Sequence, residues 1–331
     1  TLDTFLDRLA ETEEFSGSVL LARDGTVLYE GARGLADRNF EVPNRADSKF
    51  NLGSMNKMFT AVVIGQLVDE GRLAFEDTVD RWLDGRGWTK ADLSKVRVEH
   101  LLAHTAGFGS YFNDTWSRTA RQLLREVDDY KPFLAEETLA FEPGTRFRYS
   151  NSGFILLGAV IEAVTGQDYF DVVRERVYAR AGMPNTDCYD LDFVVPNLAI
   201  GYWQDGGRWR NNTFDHVIRG GPAGGGYSTA PDLLAFAEAL RGGRLVSPAT
   251  LERLWTPTGA EGSGGYGFGF GLGETPAGRV AGHGGGFRGI SSNLDVYRDT
   301  GWVAVVLANQ DGASGLVEER MRGLILRVEG D

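Results

Sequence analysis

The sequence contains one cysteine, Cys188, so it can close no internal disulfide and needs no oxidising compartment to fold. Four histidines beside that single thiol are too few for a thiolate zinc site. Basic residues are scarce as well: 34 Lys and Arg stand against 46 Asp and Glu, a formal net charge of −12 with no basic run to offset it. That balance excludes a nucleic-acid surface and adhesion to anionic lipid. No apolar stretch approaches the roughly 18 residues of a membrane span, and Thr1-Leu2-Asp3 is not the start of a signal peptide. A secreted or periplasmic form stripped of its signal would read the same as a cytoplasmic one, so the compartment stays open. No Gly-x-Ser-x-Gly elbow is present, and Gly-x-Gly runs such as Gly267-Phe268-Gly269 lack the strand-turn-helix setting of a nucleotide site. No cofactor is expected, and the oligomeric state is not readable.

What is abundant is glycine, 45 of 331 residues against a usual share of about 7%. Its clusters at 220–226, 262–273 and 282–289 mark turns and close backbone approach. With 42% hydrophobic residues the chain can bury a large core, as one domain or as two lobes.

Leu2, Phe5, Leu6 and Leu9 recur at helical spacing, and the period then shortens. Ser18–Ala22 and Thr26–Tyr29 read as a hairpin joined through Asp24-Gly25. From Met58 to Val68 an apolar stripe predicts a helix buried on one side and stopped near Gly71. Residues 75–200 read as mostly helical, including Val98–Leu102, Thr119–Val127 and Phe154–Val164, and a helix pair follows within 226–256. Strands return at Leu294–Tyr297 and Trp302–Ala308, before a last helix bearing Val317, Met321, Leu324, Ile325 and Val328. The expected fold is α/β of the α+β kind: residues 1–56 and 260–331 form a sheet lobe, 57–259 a mainly helical lobe, and the cleft between them holds the site.

Ser54-Met55-Asn56-Lys57 stands where that first long helix begins. A serine and a lysine three residues apart at a helix start share one face, which brings a weak nucleophile beside a base. The lysine serves only when neutral, so its pKa must be lowered. The same spacing also arises by chance, and a serine there is commonly just a cap. In Tyr149-Ser150-Asn151, on a loop entering a helix, the phenol can relay a proton and the amide can orient a carbonyl, or the two can be packing and cap. Gly282-His283-Gly284-Gly285-Gly286 offers bare backbone within the strand region, where an N–H can join that of Ser54 in an oxyanion hole. His100 and His104 lie at i and i+4, but without the glutamate of His-Glu-x-x-His or a third ligand they read as structural, with no metal.

Taken in order, Ser54-x-x-Lys57, Tyr149-x-Asn151 and His283-Gly284-Gly285 resemble the motifs of the penicillin-recognising serine hydrolases: class C β-lactamases, D-Ala-D-Ala carboxypeptidases, D-aminopeptidases and β-lactamase-like esterases. Glu99–Gly107, Pro143-Gly144-Thr145 and Gly224–Ala230 look like the same family, so the resemblance covers nearly the whole chain. It implies a β-lactamase/transpeptidase-like fold, acylation of Ser54 with Lys57 as base, and Tyr149 as proton shuttle. Asn151 would hold the substrate amide and the lysine, and Ser54 and Gly286 would supply the oxyanion N–H groups beside Gly285. His283 stands where many members carry a lysine, and a neutral histidine is a poorer seat for a substrate carboxylate. The expectation is a metal-independent serine hydrolase of esters or amides. A D-Ala-D-Ala carboxypeptidase or D-aminopeptidase, a weak β-lactamase, and a penicillin-binding sensor that is acylated without turnover are the alternatives. The partner is then a small ester, amide, peptide or β-lactam. Residues 106–140, and 201–226 with Trp203, Trp209 and Phe214, are the stretches expected to shape the pocket.

Overall fold

A computed structural model describes residues 1–330. Six antiparallel strands form the main sheet in the spatial order Thr26–Arg33, Gly17–Arg23, Trp302–Ala308, Ile290–Tyr297, Gly278–Phe287 and Gly271–Thr275. The two ends of the chain meet at its centre, where Leu20 pairs with Val305. Successive side chains of a strand point to opposite faces, and this sheet is apolar on both. Val19, Leu21, Trp302, Ala304 and Val306 pack under the terminal helices Leu2–Glu11 and Ser314–Gly330 through Leu6, Val317, Met321 and Ile325. Leu20, Ala22, Val303, Val305 and Leu307 face the other way, into the larger core. Each such side chain contributes about 1.5–3 kcal/mol on burial.

That larger core is built around helix Asn56–Asp69. The sequence predicts a one-sided stripe, yet every residue from Asn56 to Leu67 is buried, because helix Asn151–Thr165, helix Tyr169–Val173 with the turn after it, and helix Pro248–Leu254 enclose it together. Helix Asn151–Thr165 starts three residues before the expected Phe154. Its cap is Ser150, whose hydroxyl accepts from Gly153 N at 2.9 Å, and it stops at Gly166 in the left-handed conformation that glycine permits.

Two local expectations fail. Thr119–Val127 is not a helix but two short 3₁₀ turns, Arg121–Leu123 and Val127–Tyr130. Leu123 faces solvent, so the segment has no continuous apolar face, and the Arg121 guanidinium is tied back to the carbonyls of Trp116 and Thr119. The 201–226 loop region opens with a hairpin, Tyr202–Asp205 against Arg208–Asn211, turning at Gly206-Gly207. Phe50–Asn51 pairs with Tyr227–Ser228, which joins the segment leading into Ser54 to the end of the glycine-rich loop at 220–226.

Candidate active site

Ser54 lies in a 3₁₀ turn, Gly53–Met55, one step ahead of helix Asn56–Asp69, where first-turn N–H groups have no intrahelical acceptor. The turn is clamped from three sides: Leu52 N donates to Gly226 O at 2.7 Å, Gly225 N to Gly53 O at 3.0 Å, and Ser292 Oγ to Leu52 O at 2.9 Å. The Gly286 backbone passes so close that a Cβ on Gly53 would stand 2.9 Å from the Gly286 nitrogen. Gly285, by contrast, does not line the cleft. A Cβ there would run into Leu52 O, so this glycine serves the close packing of strand against turn.

Lys57 is fully buried, and its Nζ has three neighbours. It donates to Asn151 Oδ1 at 2.8 Å and to Ala223 O at 2.5 Å, and lies 3.3 Å from Ser54 Oγ. Burial pushes its pKa well below the usual lysine range, and no carboxylate opposes that push. The rings of Tyr149 and Phe154 lie 4.9 and 5.4 Å from Nζ and favour the cation. Such contacts are worth about 0.5–2 kcal/mol, against several for taking an ammonium out of water, so desolvation prevails and the neutral amine is favoured. A neutral amine has two N–H bonds and one lone pair. The two carbonyl oxygens can only accept, so they take both N–H groups and leave the lone pair facing Ser54.

Both acceptors are held by the fold. Asn151 is the first residue of its helix, and its Nδ2 donates to Ser110 Oγ at 3.2 Å. Ala223 sits in the glycine-rich loop, which two polar residues of the Lys57 helix fix in place. Asn56 donates to Gly221 O at 3.3 Å and accepts from Gly226 N at 3.2 Å, and Thr60 donates to Pro222 O at 2.8 Å. Ala223 carries no sequence signal, because a main-chain acceptor leaves no mark on residue type. Asn56 and Thr60 carry a visible signal, being polar residues within an apolar helix.

Tyr149 lines the same cavity as Ser54. Its ring is hemmed in by His104 and Tyr266 although 38% of the residue is exposed, and burial pushes the phenol up to about 12, with the neighbouring Ser54 side chain pulling weakly the other way. It is a hydroxyl, not a phenolate, at neutral pH. The His283 ring centroid stands 6.3 Å from that of Tyr149, but its nitrogens are engaged elsewhere. Nδ1 donates to Gly284 O at 2.5 Å, so in the neutral ring Nε2 accepts from the Tyr266 hydroxyl at 2.9 Å. Burial, with Lys57 nearby, pulls its pKa down to about 4. His283 is neutral at pH 7 and supplies no positive charge.

The cavity beside Ser54, about 220 Å³, is walled by Tyr111, Phe112, Trp116, Val217, Phe287 and Ile290, with His216 and the backbone of 223–225 completing it. No Asp, Glu, Lys or Arg lines it. The 106–140 stretch contributes the aromatics as expected. Trp203, Trp209 and Phe214 do not reach it: Trp203 donates to Asp215 and Trp209 lies under Arg38, while Phe214 borders a neighbouring apolar pocket. His100 and His104 are apart in role, His100 accepting from Arg97 N and His104 from Ser150 N, and among the described residues no group of three metal-capable side chains converges. Nor is any helix among them long and apolar enough to cross a membrane.

A fully buried lysine beside a helix-start serine, on an antiparallel sheet closed by both termini, defines a β-lactamase-like serine hydrolase. The Beta-lactamase family model matches residues 2–326, and the chain belongs to that family. Over 330 residues it is 31% identical to penicillin-binding protein 4* of Bacillus subtilis, covering 94% of this chain and 71% of that protein. It is 34% identical to the esterase EstB of Burkholderia gladioli over 61% of this chain, and that match spans 54% of the esterase. A penicillin-binding protein from Bacillus halodurans superposes with a TM-score of 0.89 at 30% identity, over 96% of this chain and 98% of that one.

Proposed function

We propose that the protein hydrolyses uncharged esters or amides through an acyl-enzyme on Ser54. The observation that carries this is the saturation of Lys57: with Asn151 and Ala223 taking both N–H groups, its lone pair is the acceptor for the Ser54 proton. Ser54 Oγ attacks the substrate carbonyl carbon as its proton passes to Lys57 Nζ. The oxyanion forms toward the N–H groups of Ser54 and Gly286, each such donor being worth about 2.7–4 kcal/mol. On collapse the bond to the leaving group breaks, and that group takes a proton through the Tyr149 hydroxyl. Water then attacks the acyl carbon, its proton returning through Tyr149 and Lys57, and Ser54 is released.

Two features favour a neutral substrate over a carboxylate-bearing β-lactam or C-terminal peptide. The cavity has no charged lining, so a carboxylate would be desolvated without a partner, and His283 is not a cation. The test is intact mass spectrometry over time with short-chain p-nitrophenyl esters, penicillins and D-Ala-D-Ala peptides. Esters should give a transient adduct on the native protein and none on Ser54→Ala, and the acids should react slowly. A permanent adduct would mark a sensor, and full ester hydrolysis by Ser54→Ala would refute the assignment.

A further inference from the structure

His104 follows helix Val98–Leu102, which ends in a Schellman motif: Thr105 N donates to His100 O at 2.8 Å and His104 N to Leu101 O at 3.3 Å. His104 thus occupies the position where glycine is usual, and it does so at φ +59°, left-handed backbone that side-chain-bearing residues rarely adopt. It is buried, and its Nε2 has no hydrogen-bond partner. A strained backbone and an orphaned polar atom in one residue indicate that something else fixes the identity of the side chain.

The His104 ring packs against Phe154 and Tyr266, and its polar contacts go to the segment around Tyr149. Its carbonyl accepts from Arg148 N at 2.8 Å, and its Nδ1 accepts from Ser150 N at 3.0 Å. The N–H groups of both residues flanking Tyr149, Arg148 and Ser150, are therefore anchored on His104. Its ring lies against the phenol ring, centroids 4.2 Å apart and tilted by 39°. With Ser150 N–H donating to Nδ1, the neutral ring carries its proton on Nε2, which is the orphaned atom. Lys57 approaches within 4.9 Å of the same phenol ring, so Tyr149 is located relative to Ser54 and Lys57 by what holds it to His104.

We propose that His104 is a positioning residue: through its Nδ1, its carbonyl and its ring it fixes the Tyr149 side chain in the cavity beside Ser54 and Lys57, and catalysis depends on it although it touches neither substrate nor serine. This rests on the proposed role of Tyr149. Misplacement of a catalytic group by about 1 Å costs on the order of 100-fold.

Two variants separate positioning from structure. H104G suits the left-handed backbone but removes Nδ1 and the ring. H104N also tolerates that backbone and keeps an acceptor, Oδ1, at the place of Nδ1. Steady-state kinetics with p-nitrophenyl acetate should show kcat lower by about 10- to 100-fold in H104G with KM within about 3-fold, and most of that loss recovered in H104N. In a Tyr149→Phe background, H104G should cost less than about 3-fold, because the hydroxyl it places is gone. The proposal is overturned if H104G lowers kcat equally with and without the Tyr149 hydroxyl, if H104N rescues nothing, or if both variants unfold at assay temperature. A Tyr149→Phe enzyme as active as the native one would instead refute the role of Tyr149 itself.

Discussion

The shortest contact of the Lys57 amine is with the Ala223 carbonyl, 2.5 Å against 3.3 Å to Ser54 Oγ. The glycine-rich loop therefore does more than border the cleft, since it occupies an N–H that would otherwise point at the serine. A close approach adds to the Asn56 and Thr60 hydrogen bonds that hold it there. Gly158, in the middle of helix Asn151–Thr165, lies under Pro222, and a Cβ at 158 would stand 2.3 Å from the Pro222 ring.

Gly158→Ala is accordingly expected to push Pro222 and Ala223 off the helix. Stability should fall by about 1–3 kcal/mol, as for other overpacked cores, and kcat for an ester should drop by an order of magnitude or more as Lys57 loses its acceptor. Urea unfolding and steady-state kinetics on the same preparation check both. A variant of native stability and activity would show that the loop does not orient the lysine.

The pH dependence of acylation distinguishes the two candidate bases. Lys57 is depressed and Tyr149 raised to about 12. The single-turnover rate should rise as Lys57 deprotonates, reach a plateau and show no second rise as pH approaches 12. The ascending limb should survive in Tyr149→Phe at lower amplitude, and should vanish in Lys57→Met with a loss of about 10²–10⁴-fold. A limb that moves or disappears in Tyr149→Phe would make the phenol the base.

Phe112 and Phe287 stack across the mouth of the cavity, with centroids 5.9 Å apart and planes 22° from parallel, and Trp116 packs edge-on to Phe112 at 4.7 Å. Phe112→Ala should open this wall. Across p-nitrophenyl acetate, butyrate and octanoate, kcat/KM should shift toward the longer acyl chains by about 10-fold, the scale on which apolar pockets discriminate. An unchanged chain-length profile would place the acyl group elsewhere.

Acid should destabilise the fold through His283. Its folded pKa of about 4 lies below the unfolded value of about 6.5, so between those limits the unfolded chain binds the extra proton. Stability is then lost as pH falls from about 6.5 to about 4, and this group adds nothing further below that. Buried His104 and half-buried His216 are shifted in the same direction by desolvation. Urea midpoints at pH 7.5, 5.5 and 4.5 should fall in that order, and less steeply in His283→Gln. An equal slope in the variant would remove His283 from the account.

Much of this was legible in the chain, for reasons that differ between its parts. The strands around Leu20 and Val305 and the helices at both ends announce themselves by apolar period, because burial of a face is what holds them. Ser54, Lys57, Tyr149 and Asn151 stand out because their side-chain chemistry is specific. Ala223 and the Gly158–Pro222 contact were hidden, since a carbonyl and an absent methyl depend on where distant backbone passes. In the sequence His104 is only half of a histidine pair at i and i+4. Its left-handed backbone and its grip on residues 148 and 150 exist only in the folded chain.

The central claim is that Lys57 is a neutral amine at working pH, and its titration can be observed directly. The chain has only five lysines, so NMR of protein labelled at the lysine ε-methylene carbon, with Lys57→Met to assign the signal, can follow it alone. The account predicts a Lys57 resonance that titrates well below the reference value of about 10.4. A Lys57 that stays protonated up to or beyond that value would contradict it.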